Sequence, residues 1–183
     1  MIDPYNITNY NQSEEQLQEV LLFWICAAGK TASVSARNLD KMLSSLPKDL
    51  PFLRIQKVGA EMLPQTLKSF GIGCYNSKAK SMWDLVNKGL DLKKCSVEDL
   101  ESVHGIGPKT ARCFIIHSRK NARHAGLDTH ILKFLREKDH EVPKSTPTGK
   151  KYRELENVFL DYADKSGKSV AEFDLDIWRH YAK

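Results

Sequence analysis

Much is missing from this 183-residue chain, and each absence narrows what it can be. Its four cysteines, Cys26, Cys74, Cys95 and Cys113, stand 48, 21 and 18 positions apart, with no C-x-x-C pair among them and no cysteine after Cys113. That spacing speaks against a structural zinc or iron-sulfur site. In apolar or small-residue surroundings, three of the four read as core packing rather than redox groups. No apolar run approaches membrane-spanning length. The polar start "MIDPYNITNYNQSEEQ" lacks the basic-then-apolar order of a secretory leader, so the expected workplace is intracellular, cytoplasm and nucleoid or nucleus. No segment alternates apolar and polar residues with period two, and no repeat recurs. β-architectures and solenoids are thereby excluded.

What is present reads as helix. Ser13 and Gln16 form a capping box ahead of Leu17, Val20, Leu21, Trp24 and Ala28, and Gly29 ends that run. Shorter helices are predicted over Ala36 to Leu46, Pro51 to Gly59 and Pro64 to Phe70, then one capped by Asn76 and closed by Gly89. Ser96 and Asp99 cap "VEDLESV". Pro108 suits the first position of the next helix, because its missing N–H would find no partner there. From Ala111 to Ile116 that helix is apolar on more than one face, which predicts a central, buried position. Asp128 caps the following helix, with Leu127 and Leu132 as a hydrophobic staple. "EVPKSTPTGKK" is a connecting loop. Two further helices close the chain, one with Tyr152, Leu155, Val158, Phe159 and Tyr162 on one face and one capped by Ser169. The predicted fold is all-α, with Phe23 and Trp24 in its core.

The net charge of +5 is unevenly spread: from Lys109 to Arg153 there are 12 Lys/Arg against 4 Asp/Glu. A basic stretch can be a solvated surface or a polyanion-binding face. Within it, "HGIGPKTARCFIIHSRKNARHAGLDTH" runs a tight Gly-Ile-Gly turn into an apolar helix beginning with Lys109, and places Asp128 at the next helix start 19 positions later. A helix, this turn and a helix make a helix-hairpin-helix. Its glycines let a phosphate approach bare amides at a helix start, a grip on the DNA backbone that reads no base. An ordinary helix-helix turn would need neither the amine nor the carboxylate.

The segment from Gly71 to Leu135 resembles the helix-hairpin-helix (HhH-GPD) DNA glycosylases of base-excision repair. "CYNSKAKSMW", "HGIGPKTA" and "LDTHI" are similar to the endonuclease III elements Y-N-S-K-A, G-V-G-x-K-T-A and V-D-T-H. The resemblance implies a single unit of two helical lobes spanning 1–183 with duplex DNA across the cleft. The central lobe would take residues of about 30–140, with the hairpin at 96–118, and the second lobe 1–29 and 141–183. Lys109 would be the nucleophile and Asp128 its catalytic partner. His104, Gly105, Ile106, Gly107, Pro108, Thr110 and Arg112 would form the DNA-contacting hairpin. It also implies a monovalent cation, potassium or sodium, on the backbone carbonyls of Glu101, Val103 and Ile106, and no other cofactor. The side chains of His104 and His130 read as structural hydrogen-bonders. The expected partner is damaged duplex DNA, the expected state a monomer.

The chemistry stands beside the resemblance. A lysine attacks carbon only as the neutral amine, which a helix start, desolvation and Arg112 one turn on would all favour. Attack on C1′ of a nucleotide displaces the base and leads to a Schiff base and strand cleavage. A carboxylate held as a helix cap can take up the lysine proton and stabilise positive charge developing on the sugar.

The absence of cysteines after Cys113 departs from the four-cysteine cluster that ends the endonuclease III branch. The tail "FDLDIWRHYAK" is instead similar to the D-L-x-x-W ending of small archaeal-type 8-oxoguanine DNA glycosylase/AP lyases. That similarity puts Trp178 against a flipped base and Lys183, with its carboxylate, at a purine edge. The expected function is excision of 8-oxoguanine from duplex DNA with β-lyase activity. Two alternatives stay open: a glycosylase/lyase for oxidised pyrimidines or abasic sites, and a hairpin module that docks on DNA without chemistry.

Overall fold

The computed structural model describes residues 1–182, and among these there is no β-strand. A short 3-10 helix at Pro4–Asn6 leads into ten α-helices: α1 (Glu14–Ala27), α2 (Ala32–Ser45), α3 (Pro51–Val58), α4 (Leu63–Ser69), α5 (Tyr75–Asn87), α6 (Val97–Glu101), α7 (Pro108–Ser118), α8 (Thr129–Glu137), α9 (Gly149–Ser166) and α10 (Val170–Tyr181). The capping box expected at Ser13 is made, and the caps expected at Ser96 and Ser169 also form capping boxes, each side chain accepting the N–H three residues on. Pro108 opens α7 and Asp128 caps α8 as expected.

Boundaries differ where no side chain marks them. α2 starts at Ala32 behind Thr31, whose hydroxyl makes no cap bond, rather than at Ala36. α5 starts behind Cys74, which sits in the left-handed region at φ 56°, so Asn76 lies inside the helix and is not its cap. α9 begins at Gly149, within the stretch expected to be loop, again without a cap bond from Thr148.

The buried apolar side chains form two clusters. One joins α1 to α6 with Ala111, Phe114 and Ile115 of α7. The other joins Ile116 to α8, α9 and α10, with Leu127 and Leu132 both inside it. α7 therefore feeds both, as its apolar run on several faces requires. The packing groups α1 with the central helices rather than with the C-terminal ones, because Leu21, Leu22 and Phe23 bury nearly all round the helix. Likewise α8 packs with α9 and α10 rather than with the central lobe expected for it.

Candidate active site

The hairpin is held from beneath by α5. Gly105 adopts φ 78°, and a Cβ there would fall 2.0 Å from Ser81 Oγ, so both conformation and packing require glycine. The His104 backbone N–H donates to Asp84 Oδ2 at 2.7 Å, which ties the turn to α5 while the residue itself stays exposed. Gly107 differs: a Cβ there would meet nothing within 4 Å. No protein packing calls for its missing side chain. Ile106 and Thr110 are buried, so of the expected DNA contacts these two can offer backbone but not side chain.

Arg112 does not face outward either. Its guanidinium donates to Glu101 at 2.6 Å and to Glu156 at 2.8 Å, and lies 4.7 Å from the centre of the Tyr152 ring. Two carboxylates neutralise it, which turns a residue expected to contact DNA and to act on Lys109 into an internal strut between α6, α7 and α9.

That strut belongs to a clamp on the loop ahead of α8. Glu156 also accepts the Ala125 N–H at 2.9 Å, and the Tyr152 hydroxyl accepts the Leu127 N–H at 3.0 Å while donating to the Ala125 carbonyl at 2.7 Å. Gly126 between them lies so close to α7 that a Cβ would come within 2.2 Å of Cys113 Sγ and 3.3 Å of the Lys109 carbonyl. The loop is thus pressed onto the first turn of α7. This brings the start of α8 beside the start of α7.

Lys109 and Asp128 accordingly line one cavity of about 910 Å³, together with Trp24, His117, Asp174 and Trp178. Asp128 Oδ1 accepts the N–H groups of His130 and Ile131, both at 2.9 Å, and its second oxygen has no hydrogen-bond partner among the described residues. Burial pushes the Asp128 carboxyl above the usual carboxylate range, and the nearby Asp174 adds to the rise against the pull of the Ile131 N–H, Lys109 and His130. Lys109 Nζ makes no hydrogen bond or ion pair among the described residues and sits 5.1 Å from the centre of the Trp24 ring. Trp24, expected in the core, is a wall of the cavity. It also lies nearly parallel to His117, with 5.7 Å between ring centres.

His117 is wholly buried. Its Nε2 is hydrogen-bonded with Asp174 Oδ2 at 3.2 Å and its Nδ1 with the Thr8 hydroxyl at 2.8 Å, so both ring nitrogens are partnered. His130 stacks on Tyr181 with 6.2 Å between ring centres and makes no side-chain hydrogen bond among the described residues, so it is a packing residue rather than the expected hydrogen-bonder. Lys183 lies outside the described residues.

Sequence reasoning missed Trp24, His117, Asp174, Tyr152 and Glu156 as parts of the site. Glu156 was detectable in principle: it is an acid at helical spacing from Tyr152 on an otherwise apolar face. Asp174 stood within the tail motif. Nothing local distinguishes Trp24 or His117 from core residues.

The class that combines an all-helical fold, a hairpin at the cleft and this amine-carboxylate pair is the helix-hairpin-helix DNA glycosylases. Within it, the family model described as 8-oxoguanine DNA glycosylase (Ogg-HhH) matches residues 1–168, and the chain belongs to that family. It is 29% identical over 182 residues to the 8-oxoguanine DNA glycosylase/AP lyase of Methanocaldococcus jannaschii, covering 92% of this chain and 81% of that one. The crystal structure of the M. jannaschii 8-oxoguanine glycosylase/lyase in complex with a 15mer DNA containing 8-oxoguanine is similar with a TM-score of 0.74 and 25% identity, over 94% of this chain and 83% of that one. The 8-oxoguanine DNA glycosylase of Thermotoga maritima shares the fold, with a TM-score of 0.76 at 21% identity over 97% and 85% of the two chains.

Proposed function

We propose that this protein excises 8-oxoguanine from duplex DNA inside the cell, as a monomer, and then cleaves the strand by β-elimination. The observation that carries the mechanism is that Lys109 and Asp128, from two helix starts, line one cavity. Lys109 Nζ, as the neutral amine, attacks C1′ and the bond from C1′ to the base breaks, the base leaving with the bonding electron pair and taking up a proton from solvent. The lysine's own proton passes to Asp128, whose raised pKa makes it a better acceptor than an ordinary carboxylate. Opening of the sugar ring breaks C1′–O4′, with O4′ taking the proton held by Asp128 and the Nζ lone pair forming the C1′–N double bond of a protonated Schiff base. Loss of a proton from C2′ then expels the 3′-phosphate.

The open space over Gly107 supports a phosphate contact at the first turn of α7, where the helix end carries partial positive charge. Trp178 on the cavity wall supports stacking on the extruded base. A panel of lesion duplexes tests the substrate. 8-Oxoguanine should be released faster than any oxidised pyrimidine, and Trp178→Ala should slow its release while sparing cleavage at a preformed abasic site, since one lost stacking partner amounts to about 1–3 kcal/mol. Equal loss of both activities would mean that α10 only supports the fold.

The hairpin carbonyls fit a monovalent cation in kind, being neutral oxygen donors. That of Val103 accepts the Ile106 N–H at 3.1 Å and keeps a lone pair, while those of Glu101 and Ile106 accept no backbone N–H from outside a helix among the described residues. Glu101, Val103 and Ile106 would hold the ion, which would neutralise a DNA phosphate. Replacing potassium and sodium by a bulky organic cation at equal ionic strength should weaken DNA binding. Unchanged affinity removes the ion.

A further inference from the structure

The N-terminal segment, which the mechanism does not use, lines one part of the same cavity. Asp3 caps its 3-10 helix by accepting the Tyr5 N–H at 2.9 Å, and Pro4 fixes the first position. Downstream, Ile7 is buried in the first apolar cluster. The Thr8 hydroxyl and the Asn9 N–H both bond to His117, the latter to its carbonyl at 3.0 Å. On the other side, Arg179 of α10 donates through Nε to the Tyr5 carbonyl at 3.0 Å and through Nη2 to Asn6 Oδ1 at 3.1 Å. The segment is thus a strap between α7 and α10, and Pro4, Tyr5 and Ile7 border the cavity.

The Tyr5 ring meets the Trp178 indole edge-on, with 4.8 Å between centres and 66° between planes. The Tyr5 hydroxyl makes no hydrogen bond among the described residues, so the contact is carried by the ring. Trp178 has no parallel-stacked partner among the described residues; its second aromatic neighbour, His130, is also edge-on at 6.4 Å.

We infer that Tyr5 is a positioning residue for base recognition: strapped to α10 by Arg179, its ring holds the Trp178 indole in the orientation that stacks on an extruded purine. This rests on the proposed role of Trp178. An indole on the rim of a large cavity has rotamer freedom to lose when a base arrives. An edge-to-face partner removes part of that freedom beforehand. The strap itself reaches no reacting atom, so cleavage of a site that has already lost its base should not depend on it.

The test uses the full chain with an 8-oxoguanine duplex and a preformed abasic duplex, both under single-turnover conditions. Tyr5→Ala should slow base release about three- to tenfold with abasic cleavage and melting temperature unchanged. Tyr5→Phe should match wild type, and Arg179→Gln should reproduce the Tyr5→Ala split by freeing the strap. Wild-type release of 8-oxoguanine with an unaffected Tyr5→Ala variant would overturn the inference alone. So would a Tyr5→Phe variant as slow as Tyr5→Ala, since the hydroxyl would then be the contact. Wild type that cleaves abasic sites but releases no 8-oxoguanine would overturn the substrate proposal, and this inference with it.

Discussion

Asp128 carries two duties that pull in opposite directions. As the cap of α8 it stabilises the helix, but as a half-buried carboxylate, desolvated and beside Asp174, its pKa is raised in the folded state. A carboxyl raised on folding favours the folded state most below its unfolded pKa, when it is protonated. That advantage is lost as pH climbs through the folded pKa, so at neutral pH its charge costs stability. Asparagine caps as well as aspartate and brings no charge. Asp128→Asn should therefore melt higher than wild type near neutral pH, with the gap closing as pH falls into the carboxylate range. Activity should drop about 10²- to 10⁴-fold, the usual contribution of a positioned acid-base group. Melting curves across pH, read beside abasic cleavage, check both signs. A variant that melts lower at neutral pH would show that the charge is matched by its surroundings.

At the scale of elements, the close approach of α7 and the lead-in to α8 sets where Lys109 and Asp128 stand relative to each other, and Gly126 is the contact that permits it. Gly126→Ala would insert a methyl 2.2 Å from Cys113 Sγ. We expect a stability loss of about 1–3 kcal/mol, as for overpacking elsewhere, and comparable loss of base release and abasic cleavage, since both need Lys109 and Asp128 together. Denaturant unfolding and the two duplex assays measure this. Full activity would mean that the loop can relax without moving Asp128. The elements were legible in the sequence where a side chain marks their start: Ser13, Ser96, Pro108, Asp128 and Ser169 all stand where expected. They were not legible at α2, α5 and α9, whose starts carry no side-chain cap and are set by packing. The 3-10 strap escaped for a similar reason: its anchors, His117 and Arg179, lie more than a hundred residues along the chain.

Over the whole molecule, the pair proposed to be catalytic, Lys109 and Asp128, was visible because both residues lie in one continuous stretch at two helix starts. The cavity around them was not, since its walls come from α1, the strap and α10, brought together only by the two apolar clusters. Arg112 illustrates the gap: its place on the hairpin helix suggested DNA, while its partners Glu101 and Glu156 come from opposite sides of it in the chain. The central claim is covalent catalysis by Lys109, and one measurement reaches it directly. Wild-type protein incubated with an 8-oxoguanine duplex and borohydride should form a trapped protein-DNA adduct whose peptide map places the bond on Lys109, and Lys109→Gln should form none. Failure of the wild type to trap on either the lesion or an abasic duplex, or an undiminished adduct with Lys109→Gln, would contradict it.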